Sequence, residues 1–134
     1  MGQPAAKAGD QIVAVDMHIV MVPSPPGAPV PTPLPHPFNG VLNGNLSANV
    51  FIQGKPAATA GSTAVNQPPH LPTTPGTVFQ VPPTNQGTIL KGSATVLINN
   101  RPAARAGDPA QTCGDPVPSL TGKVVAVSTV LIGG

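Results

Sequence analysis

The sequence predicts an all-β fold, a small closed ring of three repeated units within one domain. Twenty prolines and 15 glycines are spread through the 134 residues and leave no long window free for a helix. The apolar fraction of 40% and the charged fraction of 7% argue against a disordered chain, which is normally poor in apolar residues. The strongest observation is a short motif that recurs three times.

The motif reads x-Pro-Ala-Ala-x-Ala-Gly-(Asp/Ser), with copies at Gln3–Asp10, Lys55–Ser62 and Arg101–Asp108. An apolar, strand-like segment precedes the second and third copies, and a third such segment stands at the C-terminus: Ser47–Gly54, Ser93–Asn100 and Ser128–Gly134. The first motif thus lacks its strand, and the last strand lacks its motif. We therefore predict that the chain ends meet and close the ring, which removes exposed sheet edges.

Each unit contains a further predicted strand that begins at a glycine: Gly40–Gly44, Gly87–Gly92 and Gly122–Val127. Asn43-Gly44 and Lys91-Gly92 are typical of tight turns into the next strand, and an x-Gly or Asn-Asn turn is predicted before the motif. The unit is therefore predicted as strand, turn, strand and Pro-Ala-Ala motif. The segments between the units, residues 11–39, 63–86 and 109–121, carry most of the prolines and are predicted to be stiff, extended loops.

The soft metal ligands all lie in these three segments: His18, His36, His70 and Cys113. His18 follows its motif at the same spacing as His70, so the two are expected to converge on the axis of the ring. His36 has no equivalent in the other units. Three imidazoles and a thiolate leave no open coordination position, which predicts one structural Zn²⁺. Iron is the alternative ion, and the mixed N/S donor set favours zinc.

Two other functional classes are open at this point. In a small hydrolase, Cys113 would be the nucleophile, a histidine the base, and Asp115 or Asp108 the orienting carboxylate. A proline-rich interaction module would instead predict a disordered chain. A nucleic-acid-binding surface is disfavoured, since the net charge is only +2, the six basic residues are scattered, and Trp and Tyr are absent.

The three motifs, PAAKAGD, KPAATAGS and RPAARAGD, resemble the PAAR family, and Pro102–Arg105 spells its name. Lys7 and Thr59 replace the final arginine in the other two copies. The resemblance implies a pseudo-threefold β-cone whose proline-rich loops converge at a metal-bound apex. It also implies a zinc held by three histidines and one cysteine, a number that His18, His36, His70 and Cys113 match.

The resemblance further implies a non-enzymatic spike tip that caps and sharpens the trimeric VgrG-type spike of a type VI secretion system and aids membrane puncture. Separate effector proteins are a second class of expected partner, and a fused effector domain is not expected. We expect a monomer in isolation, with no nucleic-acid partner and no stable membrane insertion. The protein should be cytoplasmic until fired and then enter the target cell, without a Sec signal. The alternative is the tip of a related contractile injection particle or phage-like tail.

Overall fold

The structure is a computed structural model that describes residues 2–134. All regular elements of this part of the chain are β-strands, which confirms the all-β prediction and is consistent with a small β-cone. No helix among these residues is long and apolar enough to cross a membrane. The strands are β1 (Gln3–Pro4), β2 (Gln11–Val22), β3 (Val30–Gly44), β4 (Phe51–Ile52), β5 (Lys55–Pro56), β6 (Thr63–Asn66), β7 (Val78–Phe79), β8 (Gln86–Ile89), β9 (Leu97–Ile98), β10 (Arg101–Pro102), β11 (Pro109–Thr112), β12 (Ser119–Val125) and β13 (Leu131–Ile132).

The main sheet closes on itself. Its antiparallel strands follow the order β12-β11-β8-β6-β3-β2, and β12 also pairs with β2. β7 is added to the far part of β2, where Val20 lies opposite Phe79. A closed sheet of this kind leaves no free edge around the ring.

The three motifs meet at the centre of the molecule through a cycle of backbone hydrogen bonds. The N–H of Ala6 donates to the carbonyl of Ala104 at 2.9 Å, Ala104 donates to Ala58 at 3.1 Å, and Ala58 donates back to Ala6 at 3.0 Å. All three residues are buried. Alanine is suited to these positions because three backbones approach one axis, and a larger side chain would have no room there.

The last four residues of each motif form a tight turn, in which the N–H of the final residue donates to the carbonyl of the residue three positions earlier. Gly107 has φ +88°, and the equivalent Gly9 and Gly61 have φ +88° and +93°, a region that favours glycine. The Asp108 carboxylate accepts a hydrogen bond from the backbone N–H of Arg105 at 2.7 Å. Asp10 and Ser62 accept the same bond in the other two motifs, which explains the Asp/Ser at the final position.

Two apolar clusters lie on either side of the motif ring. The first contains Ile52, Ile98 and Ile132, one from each short antiparallel strand pair, together with the first alanine of each motif. The second fills the closed sheet and includes Ile12, Leu42, Ile89, Val124 and Phe38. The predicted meeting of the chain ends is confirmed, because β1 pairs with β13 and Ile132 from the C-terminus completes the first cluster.

The first proline-rich segment differs from the prediction of an extended loop. β2 and β3 are the longest strands of the protein and pair along twelve positions, from Gln11 opposite Val41 to Val22 opposite Val30. The reason is the spacing of the prolines at positions 31, 33, 35 and 37, which occupy every second residue of β3. Proline lacks a backbone N–H, and alternate residues of a strand direct their N–H groups to opposite edges. Prolines at every second position are therefore tolerated when the edge that they face has no strand partner. Indeed β3 pairs with β6 only from Gly40 onward.

The predicted turns at Asn43-Gly44 and Lys91-Gly92 were wrong as hairpin connections. β3 and β8 pair with the strands that follow the motifs, β6 and β11, instead of the segments that come next in sequence. The tight hairpin turns lie later, at Gln53-Gly54 and Asn99-Asn100, where the predicted x-Gly and Asn-Asn turns have positive φ at both residues.

Candidate metal centre

β2 positions two side chains of the candidate site. Successive residues of a strand point to opposite faces, so Asp16 and His18 share the inward face while Val15 and Met17 point outward. Asp16 is 0% exposed and His18 is 1% exposed, whereas Val15 and Met17 are 57% and 44% exposed. The strand thus delivers a carboxylate and an imidazole to the interior.

The other two side chains arrive from different segments. His70 lies in the irregular segment after β6, where its backbone N–H donates to the Asn85 side-chain oxygen at 2.8 Å. Cys113 directly follows β11. The Thr112 hydroxyl, one residue earlier, donates a hydrogen bond to Oδ1 of Asp16 and so ties the end of β11 to β2.

Four donor atoms converge at this point. Asp16 Oδ2 lies 2.9 Å from His70 Nε2 and 3.3 Å from Cys113 Sγ. His18 Nε2 lies 3.7 Å from the same sulfur. All four atoms lie within 4.8 Å of one another, so the group could hold a metal ion.

The structure places His36 beside this group. Its ring centroid is 5.4 Å from that of His18 and 5.6 Å from that of His70. Its Nδ1–H donates to the Leu34 carbonyl at 2.9 Å, and its Nε2 accepts the backbone N–H of Thr73 at 3.1 Å. Of the four predicted ligands, His18, His70 and Cys113 are therefore brought together with Asp16, and His36 contacts backbone groups.

Burial and mutual contacts set the protonation of the site. Burial raises the pKa of the Asp16 carboxyl, but hydrogen bonds from His70, Thr112 and Cys113 outweigh it and hold the pKa below its usual value. Burial lowers the pKa of His18 and of His36, so both imidazoles are neutral at pH 7. Burial, together with the Asp16 charge, raises the pKa of the Cys113 thiol to about 11. A metal ion would therefore displace a proton from the thiol on binding.

The donor set fits a transition metal. Imidazole nitrogens, a cysteine thiolate and a carboxylate are ligands that zinc takes in proteins, and a sulfur ligand disfavours Mg²⁺ and Ca²⁺. His18 Nδ1 is buried with no hydrogen-bond partner among the described residues, and its Nε2 lies 3.7 Å from Cys113 Sγ.

An aromatic ring covers the group on one side. Phe79 of β7 lies with its ring centroid 5.6 Å from that of His18 and 5.3 Å from that of His36. Sequence reasoning missed Phe79 and Asp16. Asp16 carried a usable signal, because a charged residue two positions before His18 in an otherwise apolar strand must share its buried face.

The chain matches a protein-family model described as PAAR motif, over residues 35–119 and 79–134. No curated protein matches the sequence. Together the two matched ranges cover most of the chain and include the second and third motifs. The chain belongs to the PAAR motif family.

Proposed function

We propose that the protein is the non-enzymatic, zinc-stabilised tip of a contractile injection spike, and that it caps a trimeric VgrG-type spike of a type VI secretion system. The family membership supports a spike-tip role.

One observation carries the proposal: three equivalent apolar side chains are exposed at one end of the molecule. Phe51, Leu97 and Leu131 hold the same position in the three short antiparallel strand pairs and are 56%, 59% and 62% exposed. Each precedes a buried isoleucine of the cluster beneath. Three equal apolar contacts around one axis suit a partner that presents the same surface three times.

The course of the chain places this apolar end opposite the metal centre. The second unit runs from the β4–β5 hairpin through the motif ring into β6 and then to His70. Likewise, His18 lies seven residues beyond the start of β2, about 23 Å of extended strand. The apolar end would therefore face the spike, and the metal centre would lie toward the point.

The ion would act as a structural element. Four protein ligands would leave no position for a substrate, so the bound zinc would fix segments that the small core does not order. An apex tied by metal ligands would resist deformation during membrane puncture. The tip would be ejected with its spike, alone or with separate effector proteins.

A nucleophilic role for Cys113 has less support. Reactive cysteines have a lowered thiol pKa, whereas burial and the neighbouring Asp16 raise that of Cys113 to about 11. The thiol also belongs to the donor group of the metal centre.

The test is co-sedimentation of the full chain with a trimeric VgrG-type spike protein from the same organism. We expect one chain per trimer, and we expect Leu97→Asp to weaken binding at least tenfold. Leu71→Asp is the matched control, since Leu71 is 78% exposed but lies in the irregular segment beside His70. Absence of binding by the parent chain, or equal binding by Leu97→Asp, would contradict the capping role.

A further inference from the structure

We propose that the junction between the second and third units binds one carboxylate, an acidic side chain of a partner protein, through the Arg101 guanidinium. The site is a cavity of about 300 Å³, lined by residues 45–48 and Thr59 of the second unit and by Ile98, Asn99 and Arg101 of the third. The proposal goes beyond spike capping, and the cavity contains no donor of the metal centre.

The three junctions between units are built alike, so each is a reference for the others. In every motif, the residue that follows Pro-Ala-Ala pairs across the junction with the first alanine of the next motif. The pairs are Lys7 with Ala57, Thr59 with Ala103, and Arg105 with Ala5. The junctions therefore differ mainly in the side chain that this residue brings to them.

Two of the junctions are occupied by a cation that holds a carboxylate of its own motif. Lys7 Nζ lies 3.1 Å from Asp10 Oδ1 and also donates to the Val127 carbonyl. Arg105 Nη2 lies 2.9 Å from Asp108 Oδ1, and its Nη1 donates to the Gly133 carbonyl at 3.2 Å. In both cases a long side chain fills the space between two units.

The third junction has neither of these charges. Thr59 stands in place of the cation and Ser62 in place of the acid, and Thr59 is too short to cross the space. The resulting cavity has the volume of a small-ligand pocket, which begins at about 300 Å³. No acidic residue lines it, and its one cation, Arg101, forms no ion pair among the described residues.

The donors of the cavity are grouped at the turn of the second motif. Arg101 Nη1 lies 2.9 Å from the position that a Cβ at Gly61 would occupy, so the guanidinium lies against this turn. Asn45 Nδ2 donates to the Gly61 carbonyl at 3.4 Å and keeps a second N–H for another acceptor. A guanidinium offers a planar fork of donors that matches the two oxygens of a carboxylate.

The remaining walls favour an acidic side chain over inorganic phosphate. Leu46 and Ile98 provide apolar surface against which the CH₂ groups of a glutamate can pack. A phosphate dianion would meet only one cation and would lose water at this apolar surface. Because the other two junctions are occupied by their own ion pairs, we expect one acidic side chain per chain.

The test is an NMR titration of the full, isotope-labelled chain with the blocked peptide acetyl-Ala-Glu-Ala-amide. We expect saturable shifts of the backbone amides of Thr59, Asn99 and Arg101, and at least tenfold weaker binding of the glutamine peptide. Acetylated trialanine with a free carboxyl end and inorganic phosphate are the comparison ligands. Equal binding of the glutamine peptide, or tighter binding of either comparison ligand, would overturn the assignment to an acidic side chain.

A matched pair of variants tests the role of Arg101. Arg101→Gln should weaken binding of the glutamate peptide at least tenfold. Lys55→Gln, which removes the same charge at the equivalent position of the second motif, should bind like the parent. Thr59→Gln should also weaken binding, because a longer neutral side chain fills the cavity while Arg101 remains. Urea midpoints verify that the variants fold, and parental binding by Arg101→Gln or an equal loss in Lys55→Gln would refute the site.

Discussion

Gln3 and Ile132 lie opposite each other in an antiparallel pair that joins the first strand of the chain to the last. Around this pair, Ser93 Oγ donates to the Gly133 carbonyl at 2.6 Å, and the Arg105 guanidinium donates to the same oxygen at 3.2 Å. The C-terminal strand is thus held by residues of the third unit while it pairs with the first. The ring is closed at this position by hydrogen bonds between the first and the last strand.

The buried and exposed residues of this last strand should separate stability from binding. Ile132→Ala removes a side chain that is 6% exposed, and we expect it to lower the free energy of unfolding by about 2–5 kcal/mol. Leu131→Ala, one residue earlier and 62% exposed, should change it by less than about 0.5 kcal/mol and should instead weaken spike binding. Urea denaturation and co-sedimentation measure the two effects. Equal stability of the two variants would refute the role of β13 in closing the core.

Replacement of the motif glycine by an L-residue should lower the free energy of unfolding, because this glycine has a positive φ. Gly107→Ala should destabilise the fold by about 1–2 kcal/mol, because an L-residue is strained at φ +88°. Gly133→Ala is the matched control, since a Cβ at either glycine would meet no atom within 4 Å and Gly133 does not have that φ. The comparison by urea denaturation therefore isolates the backbone. If Gly107→Ala leaves the free energy of unfolding unchanged, the turn must relax to accept an L-residue.

Removal of the metal should lower the melting temperature. Free zinc at 1,000 times its Kd stabilises a protein that binds it only when folded by about 4 kcal/mol, and a chelator removes this contribution. Cys113→Ala should melt near the metal-free parent and should not respond to the chelator. Met17→Ala, an outward-facing neighbour of His18, should keep the parental response. Calorimetry with and without chelator measures these melting temperatures. If the chelator leaves the melting temperature of the parent unchanged, a structural ion is excluded.

The metal-free protein should lose stability in mild acid. The pKa values of His18 and His36 lie below the ordinary 6.5 in the folded state. The unfolded chain therefore binds protons first as the pH falls, and the stability present above pH 6.5 is lost below it. We expect the urea midpoint to fall between about pH 7 and about pH 5. His36→Gln should reduce the slope, and a flat profile in the parent would contradict the neutral, buried imidazoles.

The prolines of β3 should protect its outer edge from pairing with other chains. Replacing Pro31 and Pro33 with threonine would add two N–H donors to an edge where β3 has no strand partner. We expect this double variant to self-associate in sedimentation velocity while the parent stays monomeric. Thr32→Val, between the two prolines, is the control. A monomeric double variant would show that the edge needs no protection.

The repeated core could be predicted from the sequence because its local chemistry is explicit. The motif encodes close backbone packing through Ala, a left-handed turn through Gly, and closure of that turn through Asp or Ser. The displaced strand at Ser128–Gly134 predicted the pairing of the chain ends. Each of these features depends only on a short segment, so it can be predicted from the sequence of that segment.

The long hairpin could not be predicted in the same way because proline usually argues against a strand. Whether a strand tolerates these prolines depends on which edge of β3 is unpaired. This is a tertiary property that the alternate spacing of the prolines does not define. The candidate metal site shows the same limit. The positions of His18, His70 and Cys113 in the sequence indicated soft ligands, but the contact of Asp16 with all three arises from the register of β2 against the other segments.

The cyclic bonds between Ala6, Ala58 and Ala104 have a consequence for the evolution of such an apex. Three identical subunits can place residues on a symmetry axis only in sets of three. A single polypeptide with three diverged repeats escapes this rule, and each repeat is free to vary beyond the ring. A group of unlike side chains such as Asp16, His18, His70 and Cys113 needs that freedom. The ring keeps the threefold arrangement of the motifs, while the unlike segments beyond it bring together side chains that three identical repeats could not provide.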